Sequence, residues 1–152
     1  MSTHTRAKLE SLLQSIRQLA QDERNNEQLA KGLEEHPQSA VGEHLQTFIR
    51  RENRAVATLT SLHNSLHQII EEVKSISHPN QEQLVEDLQY SYRMLGELSQ
   101  QEGINASTAQ TVTNDPFLQT GQVFSALERL ESYAHEGLSE IEQRLTKVAR
   151  NL

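Results

Sequence analysis

Hydrophobic residues recur along most of the chain at alternating steps of three and four, which is the spacing of one face of an α-helix. The most regular example runs from Val41 to Ile76, and a similar series runs from Phe117 to Val148. No segment shows the alternation of polar and apolar residues that is typical of a β-strand. The pattern therefore predicts an all-α protein.

The three prolines of the chain, Pro37, Pro79 and Pro116, divide it into four periodic segments. Proline cannot donate a backbone hydrogen bond inside a helix, so it marks boundaries or the first helical turn. Gly103 is the type of residue that ends a helix. We therefore predict helices at about residues 4–35, 39–77, 80–102 and 116–151, with a flexible link rich in Ser, Thr and Asn at about residues 104–114.

The lengths of the connections predict how these helices are arranged. The connections at Pro37 and Pro79 span only a few residues, so helices that follow each other in sequence must run antiparallel. The third link, at about residues 104–114, is long enough to span the remaining length of the bundle. The fourth helix can then run antiparallel to the third. We expect residues 1–152 to form one elongated up-down-up-down four-helix bundle. The alternative is a long three-helix bundle in which the third segment packs at the periphery.

Composition narrows the classes of protein that are compatible with this pattern. The hydrophobic fraction is 35%, which is low but suits the narrow apolar seams of a bundle. The formal net charge is −7, which argues against a nucleic-acid surface. The chain has no cysteine, no apolar run of about 20 residues and no signal segment, so we expect a cytoplasmic domain without disulfides or membrane insertion.

Three glutamates stand at seam positions where the spacing calls for a hydrophobic residue: Glu23, Glu52 and Glu131. Their distances from the predicted turns place them at about the same height in the bundle. A buried carboxylate costs several kcal/mol unless it is paired, protonated or bound to a cation. We therefore treat these three residues as the candidate metal ligands, with iron or manganese as the candidate cation.

This arrangement is similar in part to the di-iron centre of ferritin-like bundles. There, two helices each supply one Glu and two others supply Glu-x-x-His, with all side chains facing inward. In this resemblance Glu23 corresponds to a single Glu, whereas Glu52 and Glu131 stand where Glu-x-x-His is expected. Ala55 and Ala134 replace the two histidines, and the short second connection does not allow the long crossover of the ferritin topology.

A purely structural polar layer is the alternative to a metal site. In that case the glutamates would be open to water or would pair with arginines, and they would fix the register and the choice of partner helix. The arginines available for pairing are Arg51, Arg54 and Arg129.

A second candidate metal site consists of His63 and His67, which are four residues apart on one helix face, with Glu71 one turn further on. This spacing can hold zinc. However, His63 lies on the apolar flank of its helix, which favours a histidine that packs in the core or at an interface.

The chain has no glycine-rich phosphate loop, no nucleophile elbow and no Ser/His/Asp arrangement. We therefore expect a non-enzymatic helical bundle that acts through a protein partner or through self-assembly as a homo-oligomer, without a cofactor. The alternative is a carboxylate bundle, derived from a ferritin-like ancestor, that binds a metal in a central glutamate layer. A helical protein of lipid surfaces is a third possibility, but the net acidity and the 4% aromatic content argue against it.

Overall fold

The computed structural model describes residues 2–35 and 41–152, and these residues form an all-α structure without strands. The first predicted connection, around Pro37, lies outside the described residues. No helix in the described ranges has an apolar stretch long enough to cross a membrane. The helices are α1 (Ser2–Glu35), α2 (Val41–Ser75), α3 (Gln81–Asn114) and α4 (Gly121–Asn151), with a short 3-10 helix at Pro116–Leu118.

The four helices form the predicted antiparallel bundle. Side-chain hydrogen bonds of 2.8 Å join Arg17 to Glu142 and Arg24 to His135, so residue numbers rise along α1 while they fall along α4. The most extensive contacts are between α1 and α4 and between α2 and α3. Because α3 packs along both α2 and α4, it is a full member of the bundle, and the three-helix alternative is wrong.

The third helix is longer than predicted. It continues through Gly103 to Asn114, so the expected end at residue 102 and the expected flexible link at residues 104–114 are both wrong. The physical reason is that Ala106, Ala109 and Val112 extend the buried face of the helix beyond the glycine. Burial of this face outweighs the weak helix propensity of the Ser, Thr and Asn residues between them.

The fourth helix begins at Gly121 instead of residue 116. The Asp115 carboxylate accepts a hydrogen bond of 3.0 Å from the Phe117 backbone N–H, but it caps the 3-10 helix and not α4. The cap of α4 is Thr120, whose hydroxyl accepts a hydrogen bond of 3.3 Å from the Val123 N–H. Phe117, which the pattern places in the seam, lies in the 3-10 helix instead and is 91% exposed.

The hydrophobic core is divided into two clusters along the bundle. The larger one, which we call the long cluster, combines the first half of α1, the second half of α2, the first half of α3 and the second half of α4. The smaller one, the short cluster, lies at the end that carries the α3–α4 connection and includes Phe48 and Phe124. The polar residues between the two clusters form the candidate site described below.

The continuity of α3 can be tested at Gly103, where an added Cβ would meet no atom within 4 Å. We expect Gly103→Ala to raise the free energy of unfolding by about 0.5–1 kcal/mol, because alanine is the better residue inside a helix. Gly32→Ala is the matched control, since Gly32 lies inside α1 and is equally open. Urea denaturation measures both changes. A gain at Gly32 without one at Gly103 would contradict a continuous α3.

Candidate metal centre

Four buried glutamates, one from each helix, meet between the two hydrophobic clusters. They are Glu23 of α1, Glu52 of α2, Glu102 of α3 and Glu131 of α4, and we call them the glutamate layer. One carboxylate oxygen of each lies within 4.8 Å of those of the other three. Glu23 is 2% exposed and the others are 0% exposed. The structure thus brings the three glutamates singled out from the sequence together with a fourth.

Glu102 is the member of the layer that sequence reasoning misses, because a helix that ends at Gly103 gives it no place in a seam. The signal is nevertheless present. The buried face of α3 runs through Leu95 and Leu98 to Glu102 and then Asn105, in steps of three and four. If the seam of α3 is continued past Gly103 to Asn105, Glu102 becomes one of its positions. Every helix then carries a glutamate in its seam.

Two buried asparagines flank the glutamate layer. The Asn26 amide donates hydrogen bonds to the Glu52 carboxylate at 2.6 Å and to the Phe48 carbonyl at 3.4 Å. The Asn105 amide donates to the Glu131 carboxylate at 3.4 Å. Asn26 is 1% exposed and Asn105 is 0% exposed. Each asparagine therefore holds the glutamate of the next helix in the chain.

Several oxygens of this site have no hydrogen-bond partner within the described part of the chain. Both carboxyl oxygens of Glu102, one oxygen each of Glu23, Glu52 and Glu131, and the amide oxygen of Asn26 are in this position. Buried polar atoms are normally paired, and leaving one unpaired costs about 1–3 kcal/mol. The Asn26 oxygen is notable because it belongs to a neutral group and not to the acidic cluster. Unpaired oxygens that lie close together are the arrangement that a cation requires.

Within the described ranges, no lysine or arginine pairs with the glutamate layer. None of the ion pairs formed among residues 2–35 and 41–152 includes a glutamate of the layer. The alternative of a layer paired with Arg51, Arg54 or Arg129 is therefore not what the described residues form, and burial also contradicts a layer open to water. The physical reason is that the seam positions of the glutamates point into the bundle, whereas the arginines lie outside the seams.

Burial is the main cause of raised pKa values in this layer. The pKa of Glu23 is raised from 4.5 to about 7, and that of Glu102 from 4.5 to about 12. Burial raises the pKa of Glu131 as well. Neighbouring carboxyl groups add to the effect of burial at two positions, with Glu52 raising the pKa of Glu102 and Glu23 raising that of Glu131. Hydrogen bonds with Glu131 and Glu102 instead lower the pKa of Glu23 in part. Protons or cations can therefore relieve the same accumulation of negative charge.

The second candidate site, His63 and His67, lies at a different place. His63 stacks on the ring of Tyr92 in α3, with ring centroids 3.8 Å apart, and the His67 centroid is 5.8 Å from the same ring. The glutamate layer is the one group of three or more candidate ligands found in the described ranges, so no third ligand joins these histidines there. The contact with Tyr92 fits a histidine that packs between helices.

The structure changes which residues carry the partial resemblance to di-iron bundles. The lone glutamates are Glu52 and Glu131, and the three-residue spacing is found on α1 and α3 as Glu23-x-x-Asn26 and Glu102-x-x-Asn105. The assignment of Glu23 as a lone glutamate is therefore corrected, with asparagine standing where those centres have histidine. No family model, curated protein or solved structure compared with this chain matches it.

Proposed function

We propose that this protein binds a divalent metal ion, manganese or iron, in the glutamate layer. The observation that carries the proposal is the convergence of four buried carboxyl groups, with unpaired oxygens, on one place in the bundle. The metal would replace the protons that the layer otherwise needs.

The charge of the layer supports this proposal. If all four carboxyl groups ionise, they bring four negative charges into the core, and no ion pair among the described residues offsets them. An uncompensated buried charge costs several kcal/mol. A divalent cation offsets that cost and supplies a partner for the oxygens that have none.

The donor atoms also favour particular metals. Carboxylate and amide oxygens are hard ligands that suit manganese, magnesium and calcium, whereas zinc and copper favour sites with imidazole or thiolate. The His135 imidazole, four residues beyond Glu131, accepts a hydrogen bond of 2.8 Å from Arg24 instead of joining the layer. Of the two candidate cations, manganese is therefore favoured by the donor atoms, and iron follows from the partial resemblance to di-iron bundles.

The proposal predicts that Mn²⁺ stabilises the folded chain. After treatment with a chelator, addition of Mn²⁺ at 100 times its dissociation constant should raise the free energy of unfolding by about 2.7 kcal/mol, because the ion binds the folded state. Calorimetric titration and thermal unfolding measure this effect near neutral pH. Glu102→Gln should abolish the effect, whereas the exposed-site control Glu10→Gln should retain it.

Absence of both binding heat and stabilisation with Mn²⁺, anaerobic Fe²⁺ and Mg²⁺ would overturn the proposal. Equal stabilisation of the wild type and Glu102→Gln would show that the ion binds elsewhere.

Self-assembly, the first hypothesis from the sequence, stays a prediction. Its support is the exposure of two large apolar side chains, Ile104 on α3 and Tyr133 on α4, which are 58% and 64% exposed. They lie at nearly the same height in the bundle, since Asn105, next to Ile104, donates a hydrogen bond to Glu131, two residues before Tyr133. Light scattering on the samples used for the metal titration measures the mass of the assembly.

A further inference from the structure

The residues of the site occur twice in the sequence, separated by a constant number of residues. Glu23, Asn26 and Glu52 in the first half correspond to Glu102, Asn105 and Glu131 in the second half, and the spacing is 79 residues in each case. The hydrogen bonds are repeated too, since each asparagine donates to the glutamate 26 residues further on. The bundle therefore has a twofold pseudosymmetry that exchanges α1 with α3 and α2 with α4.

The same spacing relates other interior positions. Identical pairs in the seams are Leu9 and Leu88, Leu19 and Leu98, Ala30 and Ala109, Ala55 and Ala134, Leu59 and Leu138, and Leu66 and Leu145. The repeat is not complete, since the buried Asp87 pairs with Arg144 at 3.3 Å, whereas the corresponding residues of the first half are Lys8 and Ser65. The donor residues of the site are thus among those that both halves share.

The contacts divide the site into a central pair and two outer pairs. Glu23 interacts with Glu131 and Glu102, and Glu102 interacts with Glu52 and Glu23. Glu23 and Glu102, which come from the diagonally opposed helices α1 and α3, therefore lie in the centre of the layer. Glu52 lies with Asn26 on one side, at 2.6 Å, and Glu131 lies with Asn105 on the other, at 3.4 Å. Each side therefore combines one carboxylate and one amide with the shared central carboxylates.

We infer that the glutamate layer holds two divalent cations in equivalent half-sites, one at Asn26 and Glu52 and the other at Asn105 and Glu131, with Glu23 and Glu102 shared between them. This inference rests on the proposed metal binding and adds the number of ions and two ligands. Two divalent cations balance the four negative charges of the layer. Paired metal ions in proteins lie about 3.5–4 Å apart, a distance that carboxylates can bridge.

The amide oxygen of Asn26 is the second observation that supports this inference. It is buried and has no partner among the described residues, while the amide nitrogen already donates to Glu52 and Phe48. If this oxygen binds a cation, it gains a partner, and both hydrogen bonds of the amide nitrogen are kept.

The amide oxygen of Asn105 differs in one contact. It accepts a hydrogen bond of 3.0 Å from the Gln101 side chain, whereas the equivalent position in the first half is Asp22, which as a carboxylate cannot donate one. A carbonyl oxygen has two lone pairs, so one remains for a cation. The pseudosymmetry therefore gives this oxygen the same role on the other side.

The test is to count Mn²⁺ ions on the full-length chain and to compare the two asparagines. We expect two Mn²⁺ per chain by elemental analysis, and an electron paramagnetic resonance spectrum of two coupled ions instead of the hyperfine pattern of an isolated ion. Asn26→Ala and Asn105→Ala should each weaken binding of Mn²⁺ by at least about tenfold. Asn26→Asp should retain binding because it keeps an oxygen donor, and the exposed Asn25→Ala is the control.

Failure of this inference is distinguishable from failure of the proposed function. One Mn²⁺ per chain with the spectrum of an isolated ion would overturn the two half-sites and leave a single metal site. Binding of Mn²⁺ that is unaffected by both alanine variants would overturn the ligand role of the two asparagines. Absence of any bound Mn²⁺ would overturn metal binding itself.

Discussion

Glu102→Leu is expected to make the metal-free protein more stable above neutral pH, by about 1–4 kcal/mol, because it replaces a buried carboxyl group without a cationic partner with a hydrocarbon of similar size. Both oxygens of Glu102 are without a hydrogen-bond partner in the described structure, and its side chain is fully buried. The substitution also places an apolar side chain between the two hydrophobic clusters. For a chain of this length, the melting temperature should rise by about 2–4 °C for each kcal/mol.

Glu52→Leu is the matched control for this experiment. It removes a carboxylate from the same layer but leaves the Asn26 amide, which donates to Glu52 at 2.6 Å, without that acceptor. We therefore expect a smaller gain, since an unpaired buried donor costs about 1–3 kcal/mol. A loss of stability in Glu102→Leu at the same pH would show that the layer is a favourable part of the metal-free fold.

The metal-free protein is expected to lose stability as the pH rises from about 5 to 8, in contrast to most proteins with paired carboxylates. The raised pKa of Glu23, about 7 against the ordinary 4.5, means that the folded state holds an extra proton in this range. Unfolding then releases protons, so the free energy of unfolding falls as the pH rises above 4.5. Glu23 alone accounts for about 3 kcal/mol by neutral pH, and the raised pKa of Glu102 adds a further decrease.

Urea denaturation at a series of pH values measures this dependence. In Glu102→Leu the slope should be shallower, because one of the proton-binding groups is gone. Saturating Mn²⁺ should largely remove the slope, since above pH 5 the carboxylates are deprotonated both in the metal-bound protein and in the unfolded chain. A flat profile across this pH range in the metal-free wild type would contradict the buried, protonated layer.

Much of the fold could be predicted from the spacing of hydrophobic residues, because each helix buries one continuous face. The errors arose at residues with strong local preferences. Gly103 is a poor helix former, yet the alanines and valine that follow it keep α3 in contact with the core. Pro116 does begin a helical turn, but it is a short 3-10 helix, and α4 starts later, at Gly121.

The site could be predicted only in part for the same reason. A glutamate in a hydrophobic seam is visible in the sequence, and three of the four can be found in this way. The role of Asn26 could not be seen, because asparagine in a polar stretch of α1 resembles its exposed neighbour Asn25 until the helices are packed. The pairing of carboxyl groups across the bundle depends on which helices are diagonal, and this is a property of the assembled fold.

The position of the glutamate layer between the two hydrophobic clusters has a consequence for cooperativity. The long cluster and the short cluster are separate sets of apolar contacts, and the layer joins them through polar groups. Strong repulsion within the layer would allow the short-cluster end to open while the other end stays folded. Ions that bridge all four helices would couple both ends into one unfolding unit. Metal binding in the glutamate layer would then also stabilise the distant α3–α4 turn.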